Sequence, residues 1–194
     1  MKKIVFSLAA FVIFFMIIFT SFKCGTEKKE LSHDEMIARG KYLVVFGGCN
    51  DCHTPKIYTE MGPVPDTTRL LSGFQEGEML PEIDVNMVQP GKWVTTEKNF
   101  TGWVGPWGIS YAANLTPDNE TGIGVLTEEL FIKTLREGKY MGTGRNLLPP
   151  MPWPGMSQLS DEDLKAIYAY LRSIPPIKNK VPDPVPLDMV AMKK

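Results

Sequence analysis

Three stretches of the chain place apolar residues at helical spacing, and one long stretch does not. The first helix is predicted to begin at Ser32. Ser32 and Glu35 form a capping-box pattern, and Met36, Ile37, Leu43 and Val44 recur on one side until Gly47-Gly48 stops the run. The second is predicted over Thr127 to Glu137, with Thr127 as N-cap, Glu128 and Glu129 at the positive end of the dipole, and Gly138 as the stop. Leu130, Phe131, Thr134 and Leu135 form its inner side. The third is predicted over Asp161 to Ser173, where Leu164, Ile167, Tyr168 and Leu171 form a stripe and Pro175-Pro176 forbids continuation. From Thr54 to Leu126 no helical period appears. Prolines and glycines punctuate this stretch, and Trp93, Trp103 and Trp107 lie within it. It reads as an ordered insertion packing its aromatics, with a short hairpin around Lys92 to Gly108.

The N-terminus follows a different pattern. After Lys2 and Lys3, the run Ile4 to Phe22 holds 19 residues without a charge. An all-round apolar run of this length behind a basic start reads as an export signal or a membrane anchor. The segment stays as a single span, or it is cleaved before Cys24, whose thiol then carries lipid, or, as a third alternative behind these two, it is simply cleaved and the protein released. The domain layout expected is 1–23 as signal or anchor, 24–31 as tether, 32–177 as one folded domain with an insertion at about 56–126, and 178–194 as a proline-rich tail, an extended strap or a mobile end. The bulk of the protein is expected outside the cytoplasm.

Charge narrows the partners. The chain has 21 Lys+Arg and 22 Asp+Glu. Removing residues 1–23 takes away Lys2, Lys3 and Lys23 and no acid, which leaves 18 against 22 and a formal net of −4. Nucleic acid wants a basic footprint, so it is excluded as a partner, whereas a protein with a basic patch is allowed.

The chemistry concentrates at residues 46–55, FGGCNDCHTP, which hold two of the three cysteines and one of the two histidines. Cys49-x-x-Cys52-His53 fits three readings. A redox dithiol favours a helix N-terminus in a βαβ unit, and no such unit is visible. A zinc site needs a fourth ligand, available only from His33, Cys24 or an acid, and adjacent Cys52 and His53 are poorly placed to point at one metal. Covalent haem uses every member: two thioethers to the porphyrin vinyl groups and a histidine beneath the ring as proximal iron ligand. Haem iron in electron carriers commonly takes methionine opposite histidine. Among 11 methionines, most of which can serve as core filler, Met151 stands out. It lies in LLPPMPWPGM, where Pro149, Pro150, Pro152 and Pro154 restrict the backbone. Met156 is its rival.

The segments ARGKYLVVFGGCNDCHTP, ANLTPDNETGIG and LPPMPWPGMSQLSDEDLKAIYAYLRSIPP together resemble class I c-type cytochromes. The similarity is greatest to the haem domains in cytochrome subunits of membrane-bound alcohol and aldehyde dehydrogenases, and it covers most of residues 32–177. The resemblance implies covalent haem on Cys49 and Cys52, His53 as proximal ligand and Met151 as distal ligand. It implies an all-α fold, cytochrome c-like helices around one covalently bound haem c, here with a long loop-rich insertion. Those subunits carry several Cys-x-x-Cys-His motifs and this chain has one, so a single haem is expected.

The second N–H of a ligating histidine needs an acceptor. A proline carbonyl often serves in such cytochromes, and Pro55 and Pro63 are the candidates. Haem propionates want a cation or an indole N–H, for which Arg145, Trp93, Trp103 and Trp107 are candidates; packing is the alternative role of each tryptophan. The function expected is electron transfer between redox protein partners, a dehydrogenase or an oxidase, without catalysis by this chain. The alternatives are a gas- or peroxide-binding haem protein with a labile distal ligand, and an electron-entry subunit of a larger oxidoreductase.

Overall fold

The computed structural model describes residues 30–191. Helix α1 (His33–Phe46) starts as its sequence predicts. Ser32 Oγ accepts from the Glu35 N–H at 3.3 Å, and Glu35 Oε2 accepts from the Ser32 N–H at 2.8 Å. A five-residue turn of helix, α2 (Cys49–His53), follows across Gly47-Gly48. Helix α3 (Glu128–Glu137) is capped by Thr127, whose Oγ1 accepts from the Leu130 N–H, and it ends at Gly138 in the left-handed conformation with φ 63°. A short helix α4 (Trp153–Met156) precedes α5 (Asp161–Ser173), where Ser160 Oγ accepts from the Asp163 N–H. The apolar stripes meet as their spacing requires. Leu43 and Val44 of α1, Phe131 and Leu135 of α3, and Leu164, Ile167 and Leu171 of α5 form one buried cluster. Each such side chain contributes about 1.5–3 kcal/mol by leaving water.

The most extensive contact between elements is that of α1 with α5. Gly40 makes it possible. A Cβ at Gly40 would lie 1.8 Å from the Ala166 carbonyl oxygen, so the two backbones cross at a distance only glycine permits. An exposed ion pair from Arg39 to Asp163 spans the same crossing at 2.9 Å, with a small contribution.

The expected all-α class is overturned by residues 56–111, which build two antiparallel sheets and make the fold mixed helix and strand. Strands β1 (Lys56–Thr59) and β2 (Gly62–Pro65) form a hairpin in the register Lys56↔Pro65 to Thr59↔Gly62. Strands β3 (Thr95–Thr96), β4 (Gly102–Gly105) and β5 (Gly108–Tyr111) form a sheet in that order, paired Thr95↔Val104 and Gly102↔Tyr111 to Gly105↔Gly108. The expected hairpin is part of this sheet. Runs of two to four residues are too short for alternation to register, and their Gly, Pro and Trp content reads as loop. A buried carboxylate holds the β3–β4 turn. Glu97 Oε1 accepts from the Thr101 N–H at 2.7 Å, Thr101 Oγ1 at 2.9 Å and the Gly102 N–H at 3.1 Å, and Oε2 accepts from the Asn99 N–H. This answers the cost of burying the acid.

The segment after α5 is stitched to the rest of the chain. Asn179, 5% exposed, donates from Nδ2 to the carbonyls of Ser72 and Phe74 and accepts from the Glu76 N–H. Val185 bridges Ile109 of β5, and a last helix, α6 (Leu187–Ala191), follows. Among the described residues no helix is long and apolar enough to cross a membrane. The expected signal or anchor and Cys24 lie outside the described residues.

Gly40→Ala should lower stability by about 3 kcal/mol, since the new methyl meets backbone that cannot swing aside. Gly155→Ala, where a Cβ would meet nothing within 4 Å, should leave the denaturant midpoint nearly unchanged. Urea unfolding of the two variants beside the parent chain checks the contrast.

Candidate functional site

One cavity of about 330 Å³ gathers most of the predicted chemistry. Cys49, Cys52 and His53 of α2 line one side, and Met151 lines it from the proline loop before α4. Between them the walls are largely apolar, including Tyr111, Leu115, Leu147 and Leu148. The sequence therefore brings together four residues separated by about a hundred positions in the chain.

The local fold explains how α2 presents its side chains. Gly48, with φ 68°, turns the chain from α1 into α2 through a conformation costly for other residues. At the far end Lys56 Nζ donates to the carbonyls of Asn50 and Asp51, at 3.1 and 2.9 Å, and to that of Thr54. A cation there satisfies carbonyls that the helix leaves open. Buried Thr54 accepts the Leu71 N–H on Oγ1 at 2.9 Å.

His53 is held at both its backbone and its ring. Its carbonyl accepts from the Gly73 N–H at 2.8 Å, and its Nδ1 lies 2.8 Å from the carbonyl oxygen of Ala113. A carbonyl only accepts, so Nδ1 carries the hydrogen and Nε2 keeps its lone pair. Burial pushes the imidazole pKa below its ordinary value against the opposing effect of the Ala113 hydrogen bond, which favours the neutral, ligating form. The acceptor is thus Ala113 and neither Pro55 nor Pro63. The Pro55 carbonyl instead accepts from the Asp66 N–H at 2.8 Å, and Pro63 pairs with Tyr58 in the first hairpin.

The segment 71–74 carries Ala113 to this position. Phe74 N–H donates to the Ala112 carbonyl and Leu115 N–H to that of Leu71, so residues 112–115 lie alongside 71–74. Gly73 has φ 80°, and a Cβ there would come within 2.4 Å of the Ala112 oxygen and 2.7 Å of the Ala113 oxygen. Asn114, 3% exposed, fixes the next residue, donating from Nδ2 to the Ile177 carbonyl and accepting the Thr116 N–H and hydroxyl on Oδ1.

The two thiols are half-buried and free. Burial pushes Cys49 up to about 11 and raises Cys52, the reverse of the lowered thiol pKa that an activated dithiol uses. No group of three or more His, Cys, Asp or Glu side chains among the described residues converges to hold a metal ion, so the zinc alternative gains nothing from the geometry. His33, its suggested fourth ligand, lies exposed at the start of α1.

The remaining candidates separate. Met156 also lines the cavity. Arg145 lines it with its guanidinium 4.6 Å from the centre of the Tyr140 ring. Trp103 lines it too, but its indole N–H donates to the Phe100 carbonyl at 2.8 Å. The Trp107 N–H donates to Ser110 Oγ. Trp93 is not brought to this cavity: it is 71% exposed and lines a second one with Leu80 and Met87. Sequence reasoning missed Ala113, Lys56 and Ser110. Lys56 had a signal, as a cation just past a short helix; a backbone acceptor such as Ala113 has none.

The chain is similar in sequence to cytochrome subunits of several dehydrogenases. The chain is 33% identical over 162 residues to the gluconate 2-dehydrogenase cytochrome c subunit of Pantoea cypripedii, covering 81% of this chain and 28% of that one. It is 30% identical over 140 residues to the fructose dehydrogenase cytochrome subunit of Gluconobacter japonicus, covering 72% of this chain and 21% of that one. To the alcohol dehydrogenase (quinone) cytochrome c subunit of Gluconobacter oxydans it is 43% identical over 81 residues, 40% of this chain and 17% of that one. The chain spans less than a third of the length of each of these relatives. No protein-family model matches it.

Gly73→Ala should destabilise the chain by at least about 2 kcal/mol, from the left-handed backbone and the collision with Ala112 together. It should also broaden the His53 ring resonances by releasing Ala113. Unfolding by urea and the histidine NMR signals of the apoprotein check both effects. By sequence the chain is a cytochrome c resembling the haem domains of dehydrogenase cytochrome subunits.

Proposed function

We propose that this chain is a single-haem electron-transfer protein, and that the cavity bounded by α2 and the Met151 loop is its haem c site. The observation that carries the reading is the state of His53. Its Nδ1–H is committed to Ala113, which leaves the lone pair of Nε2 for a ligand in a cavity that Met151 also lines. Bound there, haem c supplies a one-electron couple between ferrous and ferric iron.

The chain's own residues would do the rest. Cys49 and Cys52 would hold the group by thioethers. His53 Nε2 and the Met151 sulfur would bind the iron and deny it to outside ligands. Apolar walls at Leu115, Leu147 and Leu148 would keep water from the ring and raise the potential. Arg145, exposed at the cavity beside Tyr140, would pair with a propionate. Relatives that are dehydrogenase cytochrome subunits support a dehydrogenase as the electron donor. The apolar N-terminal segment supports export, with residues 32–177 as the haem domain held at the outer side of a bacterial membrane.

The reduced protein should show sharp low-spin bands of c-type haem that carbon monoxide does not move. Met151→Ala should turn the spectrum high-spin and admit carbon monoxide, while Met156→Ala should leave it unchanged. A carbon monoxide shift in the parent protein would turn the reading to gas or peroxide binding, and absence of haem bands would remove it. Cell fractionation addresses the anchor. Cys24→Ala should release the protein from membranes if lipid on that thiol holds it, and should leave it there if the apolar segment spans.

A further inference from the structure

The insertion joins the site through β5. Ser110, 7% exposed, donates from Oγ to the carbonyl of Pro149 at 2.6 Å, two residues before Met151. The same oxygen accepts from the Trp107 indole N–H at 3.1 Å, so its single proton is directed at Pro149. Two residues past the end of β5, the carbonyl of Ala113 accepts from His53 Nδ1. The strand itself is fixed on both sides. Ser110 pairs with Trp103 of β4, and Ile109 exchanges two backbone hydrogen bonds with Val185, at 2.7 and 3.0 Å.

The chemistry of the methionine loop makes the Ser110 contact matter. Pro149, Pro150 and Pro152 have no N–H, so the rest of the protein can tie this loop by hydrogen bonds chiefly through its carbonyls. The other backbone bonds of residues 149–152 are local, from Met151 N–H to Leu148 at 3.3 Å and to the Pro152 carbonyl from Gly155 and Met156. The Ser110 bond crosses 39 positions and joins the loop to the sheet. Proline restricts the loop's shape, and Ser110 fixes where that shape sits.

We propose that Ser110 is a positioning residue for Met151, and that β5 is one brace for both axial residues, His53 through Ala113 and Met151 through Pro149. The proposal rests on the haem reading above. It gives the insertion a role: it adds a polar tie between the two ligand-bearing segments, which otherwise meet the helical core through the apolar packing of Cys49 and Met151.

The test measures imidazole affinity of the full, haem-loaded ferric protein, since imidazole binds only when Met151 lets go. Ser110→Ala should raise that affinity about tenfold, the worth of one lost hydrogen bond, with covalent haem content unchanged. Ser110→Thr, which keeps the hydroxyl, should bind as the parent does. A purely structural role would lower the unfolding midpoint and leave imidazole affinity alone, which would overturn the proposal. If Met151→Ala also leaves imidazole affinity unchanged, Met151 is not a ligand, and the haem-site reading falls together with this one. Should Ser110→Ala yield no folded protein, Trp107→Phe carries the test. It removes the donor that orients the hydroxyl and should raise affinity a few-fold; an unchanged value would overturn the proposal.

Discussion

The hydrogen bond from His53 Nδ1 to the Ala113 carbonyl decides what the cavity can do. It selects the tautomer, sets the plane of the ring, and links α2 to a segment 60 positions away. With the proton on the other nitrogen the imidazole would present a donor to the cavity in place of a lone pair. Burial acts in the same direction by disfavouring the charged ring. The position of Ala113 therefore governs the chemistry. It is set by backbone pairing with residues 71–74, by the absence of a side chain at Gly73, and by the buried amides of Asn114 and Asn179.

These supports form a chain from the tail to the site. Asn179 fixes Ser72, Phe74 and Glu76, and the segment it fixes carries Ala112 and Leu115. Val185 fixes β5 from the other side. Unpaired, each such buried carbonyl or N–H would cost about 1–3 kcal/mol, so the network is held as a whole. The helices α1, α3 and α5 supply the apolar mass, while the short sheet and the tail supply the polar contacts that orient. A glycine- and proline-rich insertion suits that work because its backbone groups are not consumed by a long ladder and remain available to a distant side chain.

The helical part of the fold was legible because its signals are local. Ser32 with Glu35, Thr127, Gly138 and Ser160 act on neighbours three or four positions away, and the structure uses each as a cap. The cavity's four chief residues were legible because soft ligands and a proline-flanked methionine are rare enough to stand out. The all-α expectation failed because the strands are shorter than the window in which alternation can be seen. Trp93 was grouped with Trp103 by composition, yet the two occupy different cavities, since which way a tryptophan in a turn-rich segment points depends on strand register.

By itself the sequence determined α1, α3 and α5, their capped ends, the apolar stripes that bring them together, and the cluster of side chains offered as ligands. Each of these follows from interactions within a few residues or from the chemistry of one side chain. Tertiary structure decided the acceptor for His53, the anchor of the Met151 loop and the mixed character of the fold. The reason is physical: two of these contacts end on backbone carbonyls, which every residue carries alike, so only the three-dimensional path of the chain can single out Ala113 and Pro149.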